Sequence, residues 1–269
     1  MTRKYAVLFA VVIGLLMTSS AFGQYSKIIH IVGSMHDFSS TSATRGPKAA
    51  TFTQICYFCH APHQNGLGGA QAPLWNHTLS SVGTYGVYSS PSFDALGTGI
   101  TDLGGAAAGS AAVSNLCLSC HDGTVGINNL YNNVYDPVAK SVHPIAMNNC
   151  GDTGSTYSDA TGACAGPSFI AVGSTSSSNG LRDDHPINFV YDTTLAGKSA
   201  SLVVPGSAPS NLGGAARHGV TYQGAFLPLF NDTLQCATCH DVHDNTTHST
   251  FLRIGEDGSA ICLACHGKS

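Results

Sequence analysis

The sequence predicts a coil-dominated fold: helices of one or two turns, a few short strands, and a core supplied by something other than a large body of apolar side chains. Three observations lead there. Only 10% of the 269 residues are charged, against roughly 25% in an average globular domain. The 15 acidic residues include a single glutamate, Glu256. With lysine and arginine also scarce, the best charged helix formers are missing, and long solvent-exposed helices are disfavoured. Glycine reaches 31 residues and cysteine 10, with eight of the cysteines in four copies of one short pattern.

The same counts exclude function classes. A disordered polyelectrolyte has high net charge and few aromatics, unlike this chain at a net −4. A nucleic-acid binder needs basic clusters to neutralise phosphates, but 11 Lys+Arg face 15 Asp+Glu and no basic run occurs.

Residues 1–23 read as an export signal. Arg3 and Lys4 give the positive start, Tyr5 to Met17 is almost wholly apolar, and Ala21 and Gly23 are placed for cleavage before Gln24. The apolar run falls short of the about 20 residues that span a bilayer. The mature chain is then 24–269, and it loses Arg3 and Lys4 on processing.

The cysteine pattern sets the chemistry. Cys56-Tyr57-Phe58-Cys59-His60, Cys117-Leu118-Ser119-Cys120-His121, Cys236-Ala237-Thr238-Cys239-His240 and Cys262-Leu263-Ala264-Cys265-His266 are each C-x-x-C-H, the attachment signature of c-type haem. Two thiols one helical turn apart reach the two vinyl groups of one porphyrin, and the next residue, His, binds the iron from below. Structural zinc sites and thioredoxin-like redox pairs also use C-x-x-C, but neither requires a His after the second Cys. Four covalent haems follow, with His60, His121, His240 and His266 as proximal ligands and the haems themselves as the core. An exported protein agrees, because this attachment takes place outside the cytoplasm.

Each iron has a sixth position, usually filled by Met or His in electron-transfer cytochromes. The mature chain has only Met35 and Met147, but nine further histidines: His30, His36, His63, His77, His143, His185, His218, His243 and His248. Bis-histidine ligation is the economical reading. It predicts low potentials compared with Met/His haems.

The motifs alternate as an internal A-B, A-B repeat. The first and third continue as His60-Ala61-Pro62-His63 and His240-Asp241-Val242-His243, while the second and fourth follow Leu116 and Ile261. This divides the mature chain into a haem pair over 36–123, a linker region over 124–217 and a second pair over 218–269. The distance from Cys56 to Cys117 exceeds that from Cys236 to Cys262 by about the length of the Ser/Gly/Ala-rich stretch 80–114, which reads as an insertion. A His three residues past an attachment His points away from its own iron and reaches a neighbouring haem, so His63 and His243 are the best distal ligands. Periodicity does not choose the other two among His36, His143, His185 and His218. Asp37 or another acceptor is expected to bond the His36 ring nitrogen not on iron.

Short strands are expected at Phe189–Tyr191 and Leu202–Val204, and a small hairpin over Phe226–Gln235 with Asn231-Asp232 at its tip. Cys150 and Cys164 lie outside the haem motifs. In an exported protein they are expected to form a disulfide, worth about 3 kcal/mol by chain entropy.

Taken in order, Met35-His36-Asp37-Phe38-Ser39, the first motif with His63, Pro73-Leu74-Trp75-Asn76, the second motif with Asp122-Gly123-Thr124, Asp184-His185-Pro186-Ile187, the third motif with His243, Phe251-Leu252-Arg253 and the fourth motif resemble the doubled-CxxCH multihaem cytochromes. Within them the chain is most similar to the secreted tetrahaem cytochromes of metal-reducing bacteria, the OmcE type, which polymerise into extracellular filaments. The resemblance implies His36, His63, His185 and His243 as distal ligands, with His143 in reserve for His185. It also implies that His36 is donated to a haem of the next subunit. His77, His30, His218 and His248 read as packing or surface residues.

Three functions are therefore weighed. The first is an extracellular or cell-surface electron conduit, a head-to-tail homopolymer fed by upstream periplasmic or outer-membrane cytochromes. The second is a monomeric periplasmic shuttle with four intramolecular distal ligands. The third is a multihaem reductase, which requires an open iron beside acid/base groups. The supply of spare histidines argues against such a vacancy.

Overall fold

The computed structural model describes residues 29–61, 74–80, 82, 85, 88, 90–95, 112–132, 134–136, 141–143, 145–149, 181–182, 184–207 and 218–267. The export segment 1–23, His63 and the cysteines Cys150 and Cys164 lie outside the described residues.

The described chain is mostly coil, as the scarcity of helix formers implies. Each attachment motif sits on or beside a helical turn: a 3₁₀ turn at Ile55–Phe58, helix α1 at Ala112–His121, α3 at Cys236–Cys239 and α4 at Ala260–Cys265. A further turn, α2, spans Thr193–Ala196 and is capped by the Asp192 carboxylate, which accepts from the Leu195 N–H at 2.8 Å. Helix α1 is longer than the one or two turns expected, at 10 residues. Its extra length buries Val113, Ser114, Asn115 and Leu118. It stops at Gly123, whose φ of +73° supplies the left-handed residue that ends many helices.

Among the described residues the strands are short and their pairings are antiparallel. Strand β1 (Lys48–Ala49) pairs with β4 (Met147–Asn148), β2 (Val134–Asp136) with β3 (Ser141–His143), and β5 (Phe189–Val190) with β9 (Thr233–Leu234). Strands β6 (Gly206–Ser207), β7 (His218–Tyr222) and β8 (Ala225–Pro228) form a three-stranded ribbon. Gly219 in β7 is required by close approach, since a Cβ there would lie 2.3 Å from the Leu227 carbonyl oxygen.

The hairpin expected over 226–235 is only half correct. Asn231 and Asp232 do form its tip, both at positive φ, with Phe230 and Thr233 exchanging backbone bonds of 2.9 and 3.1 Å. The two arms, however, run into different sheets: β8 pairs back onto β7 through the turn at Gln223-Gly224, and β9 pairs onto β5. Phe189–Val190 is a strand as expected, whereas Leu202 makes only an isolated bridge, to His266.

Apolar packing among the described residues splits into separate small clusters. One gathers Phe189, Tyr191, Leu195, Val220, Leu229 and Leu234. A second holds Phe58, Ile127, Leu130 and Ile145, a third Tyr85, Leu118 and Leu181, and a fourth Leu227, Ile254 and Ala264. Phe58, Leu118 and Ala264 belong to attachment motifs, so the clusters lie beside the sites rather than forming one central core. The stretch 80–114 also contributes to packing. Ser80 and the Tyr85 hydroxyl both donate to the buried Asp122 carboxylate, the latter at 2.7 Å.

Candidate haem sites

The pentapeptide C-x-x-C-H closes the same turn wherever its backbone bonds are described. The proximal His N–H donates to the carbonyl of the first Cys: His60 to Cys56 at 2.7 Å, His240 to Cys236 at 3.1 Å and His266 to Cys262 at 2.8 Å. This i to i−4 bond brings both sulfur atoms to one side of the turn and releases the His from its end. The sulfurs are thiols in the polypeptide and stand where thioether sulfurs would be in a haem protein.

The A-A duplication is visible in backbone pairing. After the first motif, Ala61 N–H donates to Leu74 O at 2.7 Å and Asn76 N–H to Cys59 O at 2.9 Å; after the third, Asp241 N–H donates to Phe251 O at 2.7 Å and Arg253 N–H to Cys239 O at 2.9 Å. Leu74-Trp75-Asn76 and Phe251-Leu252-Arg253 are therefore equivalent braces that pin His60 and His240. The fourth motif has its own brace, with Val203 N–H on Cys265 O at 2.8 Å and Gly267 N–H on Ser201 O at 2.6 Å.

The histidine rings meet in pairs. His60 and His243 have ring centroids 6.2 Å apart, with planes 17° from parallel. His36 and His121 lie 5.9 Å apart at 71°, and His185 and His266 lie 6.4 Å apart at 68°. Two imidazoles sharing one metal, each through a bond of about 2 Å, have centroids about 6 Å apart. All three separations fit an iron held between the rings. His63 falls outside the described residues. His143 is placed in β3, opposite Val134.

Electrostatics suits neutral ligands. Burial pushes the His36 ring down to about 4, and the neighbouring His121, His240 and His243 add to the shift. Burial also lowers His121 and His185. Neutral imidazole is the form that binds a metal. Burial pushes the Cys59, Cys120 and Cys265 thiols up to about 12, so the folded polypeptide holds them protonated.

Among the described residues, two buried polar groups find no partner: the Trp75 indole Nε1 and the Asn115 amide. Leaving such groups unpaired costs about 1–3 kcal/mol each. Trp75 packs edge-on against His60, with ring centroids 6.2 Å apart at 88°. Its N–H can only donate, and a haem held at His60 would bring carboxylate acceptors to this neighbourhood. The residues therefore fit the group: paired sulfurs on a turn, histidines facing across a metal-sized gap, and a buried donor beside one of them.

One expectation needs correction. Asp37 does not serve the His36 ring; its carboxylate accepts from the Gly33 N–H (2.9 Å) and from the Ser39 hydroxyl (2.6 Å) and N–H (3.2 Å), shaping the loop that carries His36. His36 lies against His121 and stacks on Phe251 of its own chain at 4.7 Å. His77 is fully buried, its ring nitrogens 2.8 and 2.9 Å from the Thr78 and Gly126 carbonyls, which suits a packing residue. His30 sits on Asp244 and Thr246, and His218 bonds Asp232.

Two features escaped the sequence reading. Gln235, fully buried, accepts from the Ser114 N–H at 3.1 Å and donates to Asn188 Oδ1 at 2.9 Å, so it ties α1 to α3. Arg253 donates to Ala237 O at 2.9 Å and to Asp241 at 3.1 Å. Aligning the segments that follow the two A motifs would have found Arg253, because it occupies the place of Asn76.

The chain matches no curated protein. Its C-x-x-C-H motifs indicate covalently bound c-type haem. Residues 228–269, which hold the third and fourth motifs, match the doubled CXXCH motif family, and that match supports a multihaem c-type cytochrome that transfers electrons.

Proposed function

We propose that this chain is an exported electron carrier that holds four c-type haems, each with its iron between two histidines. The observation that carries the reading is the set of three histidine pairs at 5.9–6.4 Å, each joining an attachment His to a distant one. When bound, haem supplies reversible one-electron iron chemistry. The paired histidines would hold each iron from both sides, an arrangement that would suit electron transfer rather than substrate binding at the iron. His63, which lies outside the described residues, completes the set of distal ligands in this reading. Export is supported by the chemistry of C-x-x-C-H attachment and by the apolar run after Arg3 and Lys4. The donors are upstream cytochromes of the same chemistry.

The pairing of His36 with His121 of its own chain favours a self-contained carrier. A second reading, a head-to-tail filament in which His36 serves the next copy, is favoured by Val32 and Met35, exposed on the same arm at 59% and 54%. Purification of the exported protein tests both. Mass spectrometry should give four haems per mature chain, and a resting spectrum that is entirely low-spin. Fewer haems, or a high-spin signal, refutes the ligation. Electron microscopy then separates carrier from filament.

A further inference from the structure

Asp241, Arg253 and His243 form a charged string beside the third motif. Arg253 is anchored by its Nε on Ala237 O at 2.9 Å and by its backbone N–H on Cys239 O at 2.9 Å. Its Nη1 donates to Asp241 Oδ2 at 3.1 Å. The other carboxylate oxygen, Oδ1, accepts the His243 backbone N–H at 3.2 Å and lies 3.5 Å from its ring Nδ1. The Asp241 side chain is only 15% exposed, so its charge is poorly screened by water. Its backbone is held as well, by the bond to Phe251 O at 2.7 Å.

This arrangement differs from that at two other histidines, His240 and His185. The His240 Nδ1 lies 2.9 Å from the Thr250 carbonyl, and the His185 Nδ1 lies 2.9 Å from the Pro186 carbonyl. Those rings face a backbone dipole, whereas His243 faces a full negative charge. A carboxylate beside the ring nitrogen not on the metal orients the imidazole and strengthens it as an electron donor. A stronger axial donor, and a nearby anion, both favour ferric over ferrous iron.

We propose that Asp241 is a positioning residue that lowers the reduction potential of the haem attached at Cys56 and Cys59, and that Arg253 limits how far. The inference rests on the reading that His243 is the distal ligand opposite His60. The step concerned is the gain of one electron by ferric iron, supplied in the test by a mediator. Asp241 acts as a fixed charge, and removing that charge makes the gain easier. Removing Arg253 takes away a positive charge that offsets the carboxylate and makes the gain harder.

The test is a redox titration of the haem-loaded full chain, followed by optical and EPR spectroscopy. Asp241→Asn should move one haem to higher potential by about tenfold in its reduction equilibrium, about 59 mV for one electron, while that haem stays low-spin with a changed EPR signature. Arg253→Gln should move the same haem the opposite way, and Arg253→Lys should restore most of the shift. Opposite signs at one haem are not what general damage to the fold produces. The proposal is overturned if Asp241→Asn moves no haem, or moves all of them equally, in a protein that remains fully low-spin. In that case the ligation stands. If His243→Ala also leaves every haem low-spin, His243 is no ligand, and the premise fails together with the proposal.

Discussion

The imidazoles of His60 and His243 face each other with centroids 6.2 Å apart and planes 17° from parallel. One belongs to the first attachment motif and the other lies three residues past the end of the third. The pairing joins the two halves of the internal repeat through a gap the size of a metal with its two bonds.

Removing His243 should expose that gap chemically. His243→Ala is expected to keep the full haem content, because its thiols and proximal histidines are untouched, and to turn one haem from six-coordinate low-spin to high-spin. EPR and optical spectra of the resting protein check this.

His36→Ala should act on a different haem, the one attached at Cys117 and Cys120, since the His36 ring lies 5.9 Å from His121. In the isolated monomer this variant should show one high-spin haem. If His36 serves a neighbouring copy instead, the isolated wild-type monomer already shows the signal, and the variant loses assembly with all haems attached. Size-exclusion chromatography alongside EPR distinguishes the two.

Acid should destabilise the fold. The His36 ring is pushed down by burial to about 4 from its ordinary 6.5, so the unfolded chain takes up a proton before the folded one does. The contribution is fully present above pH 6.5, declines as the pH falls through that window, and levels off below about 4. Iron ligation, which also requires the neutral ring, acts in the same direction. Denaturant midpoints between pH 7 and pH 4 should fall, with a shallower slope in His36→Ala.

Gln235→Ala should cost about 1–3 kcal/mol, because it removes the acceptor of the buried Ser114 N–H. Chemical denaturation measures the loss. Haem content should be unchanged, since the substitution leaves all four C-x-x-C-H motifs intact.

The four C-x-x-C-H motifs made the attachment chemistry legible from sequence, because the pentapeptide is a local device: one helical turn sets both sulfurs and the histidine. The loop-rich fold was legible for a similar reason, since a shortage of Glu, Lys and Arg acts on every turn of the chain. The tip at Asn231-Asp232 was readable, because those residues tolerate positive φ. The destinations of its arms were not, because β8 and β9 are chosen by partners far away in sequence. The same limit applies to the histidines. Spacing separates His243 from its own iron, but only the folded chain brings it to His60, His36 to His121 and His185 to His266. It also turned Asp37 inward to its own loop and gave Asp241 the place beside an imidazole. Local bonding is written in short motifs. Which ring meets which depends on packing across the repeat, and that is a property of the tertiary structure alone.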